Sequence, residues 1–243
     1  YSNDGLYKTV KYKKKEYVGD PINTIRLFND LKVDELIMLD IEASRFNRGP
    51  NLELVKQVSS ECFMPLCYGG GITSVSDAEA VFSLGVEKIC LNTQPLNDLS
   101  LIKELSDLFG SQSIAVSVDV GKNIFGNRKV YSHLRKKYLD LNLLDYVREA
   151  ERAGAGEIFL SSIHLEGTRL GFDLQTIAEV AKSVDIPIVA NGGGGDIAHF
   201  SQAFESGASA VCCGTKFTYQ APHKAVLISY LSEEEYLCIN PEL

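Results

Sequence analysis

The chain has 243 residues, 45% apolar and 23% charged, with 24 Lys and Arg against 32 Asp and Glu and a net charge of −8. That is a globular composition able to bury a sizeable core, and its acidic balance argues against general nucleic-acid binding, which runs on surplus cations. A small anion is still within reach, because it needs only a local site.

The opening Tyr1-Ser2-Asn3-Asp4-Gly5 is polar and turn-like, unlike a signal peptide, and no window approaches a membrane-spanning length of apolar residues. There is no initiating Met and the chain opens inside a turn, so a first strand is expected to lie before Tyr1. Short apolar runs then alternate with amphipathic stretches to the end. Residues 35–40, 65–68, 88–91, 114–119, 157–161, 187–190 and 210–213 read as strands, apolar enough to be buried on both faces of a parallel sheet. Helix periodicity fills the intervals. Ser76-Asp77-Ala78-Glu79 reads as a capping box for a helix that stops at Gly85. Residues 98–109 stop at Gly110, and residues 196–206 stop at Gly207. With no Pro/Gly/Ser linker, residues 1–243 read as one domain. Cys62, Cys67, Cys90, Cys212, Cys213 and Cys238 show no CxxC spacing and sit mostly in apolar runs, as reduced packing residues of a cytoplasmic protein do. The four histidines are scattered, so no metal site is expected.

The chain also repeats itself. Shifted by 122 residues, Glu35 falls on Glu157 (157 − 35 = 122), Pro65 on Pro187, and Gly70 and Gly71 on Gly192 and Gly193. Phe82 falls on Phe204, Gly85 on Gly207 and Thr93 on Thr215. The repeated unit is strand–helix, so each half is (βα)₄ and the whole predicts a (β/α)₈ TIM barrel. Seven strands are visible, and one before Tyr1 would complete it.

In such a barrel the site lies at the carboxyl ends of the strands. Gly69-Gly70-Gly71-Ile72 follows one strand, and Asn191-Gly192-Gly193-Gly194-Gly195 occupies the twin position. The next strand of each half ends in Asn92-Thr93 and Gly214-Thr215. Glycines let backbone N–H groups approach an anion, and a following helix start adds partial positive charge. Two such nests facing each other predict a substrate with a phosphate at each end; tight βα turns alone are the plainer alternative.

With these motifs, the chain resembles the cyclase subunit of imidazole glycerol phosphate synthase (HisF) over nearly its whole length. The resemblance rests on 34–41 (Asp-Glu-Leu-Ile-Met-Leu-Asp-Ile), Gly69-Gly70-Gly71-Ile72, 88–93, Phe109-Gly110-Ser111-Gln112, Gly154-Ala155-Gly156-Glu157, Gly167-Thr168 and Asn191-Gly192-Gly193. It implies a lyase of histidine biosynthesis that joins ammonia to a bis-phosphorylated ribulosyl intermediate without metal or organic cofactor. Of two acid/base aspartates in that family, one matches Asp119. The other would fall at or before Tyr1.

The resemblance further implies substrate contacts at Lys8, on the first βα loop, and at Gly70, Gly71, Asn92 and Thr93. On the opposite side it implies Glu166, Gly167, Thr168, Gly192, Gly193, Gly214 and Thr215. It implies an ammonia entrance of charged residues at the barrel bottom, Glu35, Lys88 and Glu157, facing a glutaminase partner similar to HisH. Neither nucleic acid nor membrane is an expected partner. The family's usual Asp-Arg-Asp-Gly-Thr stands here as His164-Leu165-Glu166-Gly167-Thr168, and 135–140 departs as well. The stretches at 7–11 and 17–21 look more like a branch that uses ammonia to build an amidino group on a surface-polysaccharide sugar. Three readings follow: the histidine-pathway cyclase, that amidation paralogue, and a non-catalytic phosphate-binding scaffold for the glutaminase. A sugar-phosphate isomerase of the same repeat fold has no ammonia to admit, which the charged ring argues against.

Overall fold

The computed structural model describes residues 1–2, 5–123, 126–220 and 225–239; Asn3 and Asp4 of the polar opening, and His223, lie outside them. A hairpin of β1 (Leu6–Lys8) and β2 (Glu16–Gly19) precedes α1 (Pro21–Asp30) and β3 (Leu36–Leu39). There follow α2 (Leu52–Glu61), β4 (Leu66–Gly69), α3 (Val75–Phe82), β5 (Lys88–Leu91) and α4 (Ser100–Phe109). The second half opens with β6 (Ile114–Lys122) and a short excursion, β7 (Arg128–Ser132) and β8 (Lys137–Tyr138), then α5 (Leu143–Arg152) and β9 (Glu157–Ser162). It continues through α6 (Leu174–Ala181), β10 (Ile188–Asn191), α7 (Ile197–Glu205), β11 (Ala210–Cys212) and α8 (Gly214–Thr218). The pair β12 (Tyr219–Gln220) and β13 (Ala225–Val226) and the last helix α9 (Glu233–Ile239) end the described chain.

Seven strands form one parallel path, β11-β10-β9-β6-β5-β4-β3, with a helix in each of the crossovers between them. This is the strand order of a (β/α)₈ barrel. On the edge of β3 away from β4, the Ile41 N–H donates to the Tyr1 carbonyl at 3.2 Å, so Tyr1 sits beside the carboxyl end of β3.

The repeat is visible element by element. The offset of 122 carries α1 (21–30) onto α5 (143–152), and β4 (66–69) onto β10 (188–191). It also matches the helix caps: Asp20 with Asn142, Asn51 with Asp173, and Ser74 with Asp196, each accepting a backbone N–H from the first turn through its side chain. Each helix buries one stripe. In α5, Leu143, Tyr146, Val147 and Ala150 are buried at positions i, i+3, i+4 and i+7. Fully burying one such side chain contributes about 1.5–3 kcal/mol.

Three sequence expectations need correction. The cap of α3 is Ser74, which accepts from Asp77 N–H at 3.2 Å, and not Ser76, which lies inside the helix. The helix after Asp98 starts at Ser100, because the Asp98 carboxylate takes the Ser100 N–H and hydroxyl and holds its own residue in a turn. Cys238 is exposed on α9 and is no packing residue, whereas Cys67 and Cys90 are buried.

Candidate active site

Alternation along the strands sends every second side chain into the barrel. At the bottom lie Glu35, Lys88 and Glu157. Above them a small apolar cluster is formed by Cys67, Cys90, Ala115, Phe159 and Val189, with Ile37, Leu39, Ala210 and Cys212 packed against it. Burial pushes the Cys212 thiol up to about 12, and the hydrogen bond between Cys67 and Cys90 together with burial raises Cys67, so both thiols are neutral near neutral pH. Above this apolar layer come Asn92, Ser117, Asp119, Ser161 and Asn191, the polar ends of β5, β6, β9 and β10.

Asp119 is buried and stands at the centre of this polar layer. Asn92 Nδ2 donates to Asp119 Oδ2 at 2.9 Å and to the Ser117 carbonyl at 3.1 Å. His133 Nε2 lies 3.5 Å from the same carboxylate oxygen. Burial raises the Asp119 pKa above the ordinary carboxylate range, while His133, Asn92 and Ser161 pull it back. A buried carboxyl with a raised pKa and three polar neighbours is equipped to hold and hand over a proton. Asn92 therefore orients Asp119 as well as edging the first nest.

Both nests are built alike. Gly70 (φ 120°) would carry a Cβ into the Asp40 carbonyl at 2.5 Å, and its twin Gly192 (φ 91°) into the Ser162 carbonyl at 2.7 Å. Asp40 and Ser162 are themselves 122 apart, so only glycine fits either place. A cavity of about 1510 Å³ opens here; it takes in Lys8, Gly70, Gly71, Asn92, Thr93, Asp119, Glu166 and Gly214, and it extends along the seam between β3 and β11. Gly167, Thr168, Gly192, Gly193 and Thr215 do not line it. The first loop lies against part of the second nest. A Cβ on Gly167 would meet the Thr9 carbonyl at 2.5 Å, and one on Gly214 would meet Lys8 Nζ at 2.6 Å.

Glu166, buried, holds that loop down. It accepts the Tyr12 N–H at 3.0 Å through its carboxylate and the Lys11 N–H at 3.0 Å through its carbonyl, and lies 3.6 Å from Lys8 Nζ. Lys11 (φ 56°) and Tyr12 (φ 53°) both adopt left-handed backbone, a costly arrangement for non-glycine residues that these bonds offset. The loop thereby brings the Tyr12 ring to 4.8 Å from the His133 ring and its phenol to Ser161. Burial raises the Tyr12 pKa, so the phenol keeps its hydrogen.

At the bottom, Lys88 Nζ bridges Glu157 at 2.9 Å and Glu35 at 3.1 Å. Burial alone would lower the Lys88 pKa, but the two glutamates raise it. The structure thus brings the three residues together at the foot of the barrel. Phe63, 85% exposed, lies just before β4 on this same face.

His133, Tyr12 and Ser161 were not singled out from sequence. Ser161 could have been, because it is the last of the alternating inward positions of 157–161. His133 and Tyr12 reach the site through irregular loops, where periodicity carries no signal.

The family model of histidine biosynthesis proteins matches residues 5–223. A Pseudomonas aeruginosa protein provisionally named imidazole glycerol phosphate synthase subunit hisF2 is 50% identical over 227 residues, 93% of this chain and 90% of that protein. The imidazole glycerol phosphate synthase subunit HisF of Helicobacter hepaticus is 37% identical over 229 residues, 94% of this chain and 91% of its own length. That of Thermococcus gammatolerans is 35% identical over 229 residues, 94% and 90% of the two chains. The chain belongs to the histidine biosynthesis protein family, among its HisF members.

Proposed function

We propose that this HisF-family chain is the synthase subunit of a glutamine amidotransferase, joining ammonia from a HisH-like glutaminase to a substrate with two phosphates and forming imidazole glycerol phosphate. It acts as one domain over residues 1–243, in the cytoplasm. The carrying observation is the vertical order inside the barrel: a charged plug of Glu35, Lys88 and Glu157, a neutral apolar passage, then Asp119 between two repeat-related nests. An uncharged small molecule such as ammonia suits an apolar passage, whereas a cation would be costly to desolvate there.

The partner is assigned to the amino-terminal face. Lys88 can shift between its two glutamates to admit ammonia, and exposed Phe63 offers an aromatic anchor of the kind that interfaces bury. The phosphates are assigned to Gly70, Gly71 and Thr93 on one side. On the other they are assigned to Gly167, Thr168, Gly192, Gly193, Gly214 and Thr215, with the first loop lying against Gly167 and Gly214. Lys8 and Glu166 close that loop over the bound substrate. Asp119 carries acid/base work, oriented by Asn92.

The test supplies the protein with an ammonium salt at alkaline pH and the bis-phosphorylated ribulosyl intermediate, and follows its disappearance by absorbance. Turnover that Asp119→Asn abolishes supports the reading. Binding without turnover would shift it toward amidation of a sugar acceptor or a silent scaffold, and no binding would sink the two-phosphate site.

A further inference from the structure

Resting on the reading that this site joins ammonia to a carbonyl, we propose that His133 is a second proton-transferring residue, held by Asp119 with its hydrogen on Nε2 so that Nδ1 faces the reacting groups. The geometry is specific. His133 Nε2 lies 3.5 Å from Asp119 Oδ2, and His133 lines the same cavity as Asp119, Gly71 and Thr93. A hydrogen bond closed across this 3.5 Å contact fixes the imidazole tautomer and leaves the other nitrogen to accept a proton.

The ring is also clamped. The Tyr12 ring stands 4.8 Å away on one side and the Tyr131 ring 5.0 Å away, edge-on, on another. Its backbone belongs to a braced turn. β7 pairs with the extension of β6 through Val120 and Val130, and buried Ser132 accepts the Arg135 N–H at 3.2 Å. The titratable groups facing the imidazole are thus Asp119 from β6, Tyr12 from the first loop and Tyr131 from β7, which ends just before His133.

The chemistry calls for two such groups. When ammonia adds to a carbonyl and water leaves, the C–N bond forms, the C–O bond breaks, and two protons pass from nitrogen to the departing oxygen. One residue must take a proton from nitrogen while another delivers one to oxygen. Asp119 delivers the proton to oxygen, and Nδ1 of His133 takes the one from nitrogen while its Nε2 hydrogen, facing Asp119 Oδ2, recharges the carboxylate. Glu166 accepts the Tyr12 N–H in the same arrangement that sets the Tyr12 ring against His133, so the first loop helps position the imidazole.

Two measurements test this on the full chain. In ammonium-supported turnover of the bis-phosphorylated ribulosyl intermediate, His133→Asn is expected to lower kcat about 100-fold with KM little changed, and added imidazole to restore His133→Ala at least about tenfold. A structural role would give no rescue. A kcat close to that of the wild type in His133→Asn, or a loss that imidazole leaves untouched, overturns the proposal. The second readout needs no substrate: nitrogen NMR of the neutral ring reports which nitrogen carries the hydrogen. Hydrogen on Nε2, lost to a mixture in Asp119→Asn, supports the pair; hydrogen on Nδ1 overturns it. If the wild type shows no turnover, the reaction reading fails and the ring's tautomer alone decides the pair.

Discussion

Replacing Lys88 by Met keeps the aliphatic stem that packs at the barrel bottom and deletes only the charge. Glu157 and Glu35 then face one another with no cation between them, where Lys88 had stood 2.9 and 3.1 Å away. Breaking a buried pair costs about 3–5 kcal/mol and breaking an exposed one at most about 1 kcal/mol. Glu157 is mostly buried, but Glu35 keeps 35% of its side chain in water. The expected loss therefore lies between these limits, at about 2 kcal/mol. For a chain of this size that lowers Tm by about 4–8 °C. The assay is calorimetric unfolding at neutral pH of the wild type, Lys88→Met, and Lys88→Met with Glu157→Gln, in which the second change removes one stranded carboxylate and recovers part of the loss. The sign of the pH dependence is fixed as well. The folded pKa of Lys88 is raised, so its contribution is fully present below the unfolded lysine value and disappears as pH rises through the folded one. The gap between wild type and Lys88→Met should close only at strongly alkaline pH. A variant whose Tm matches the wild type at neutral pH would refute the reasoning, and with it the view that these charges are desolvated enough to need one another.

Three further outcomes are expected. Glu166→Ala removes a charged acceptor from the Tyr12 N–H and the ion partner of Lys8, so trypsin should cut after the lysines at 11 and 13–15 about tenfold faster or more; an unchanged cleavage rate would mean that something else holds the loop. Asp119→Asn should unfold at a higher temperature than the wild type at neutral pH while losing turnover. The raised folded pKa favours the fold only below the unfolded aspartate value, and that contribution is lost as pH climbs to the folded one; the gain over wild type should vanish in acid. Gly192→Ala combines a left-handed backbone with a contact at 2.7 Å, whereas Gly85→Ala, at φ 92° with open space around it, has the backbone strain alone. Urea unfolding should show a loss of about 1 kcal/mol for Gly85→Ala and at least twice that for Gly192→Ala. Equal losses would show that the nest can relax around a methyl group.

The parts of this molecule legible in sequence are those governed by period and repeat. Inward alternation is a property of any strand, so Asp119 could be placed at a strand's carboxyl end, and the offset of 122 located both glycine runs; the grouping of Glu35, Lys88 and Glu157 came from the family resemblance. What stayed hidden travels through segments without a period. The hairpin at 6–19 and the excursion at 128–138 are short, polar and exposed in large part, and their meeting over the barrel depends on Glu166, far from both in sequence. The true cap of α3 was missed for a related reason. Ser74 and Ser76 are both followed three residues later by an acid, and only the extended backbone at Ser74 chooses between them.

The two halves share their glycine turns, and they differ in what stands beside them. Asn92 and Gly214 are equivalent positions, 122 apart, at the ends of β5 and β11. In the first half the side chain reaches across to Asp119 and the Ser117 carbonyl, fixing the carboxylate. In the second half the absent side chain leaves room for Lys8, whose Nζ lies 2.6 Å from where a Cβ would stand. An asparagine at 214 would evict Lys8 and unlatch the loop, and a glycine at 92 would leave Asp119 without the amide that orients it. A perfectly symmetric barrel would thus have two nests and either two fixed carboxylates or two movable lysines. On the proposed reading, one of each lets a single substrate be gripped at both ends and protonated at one.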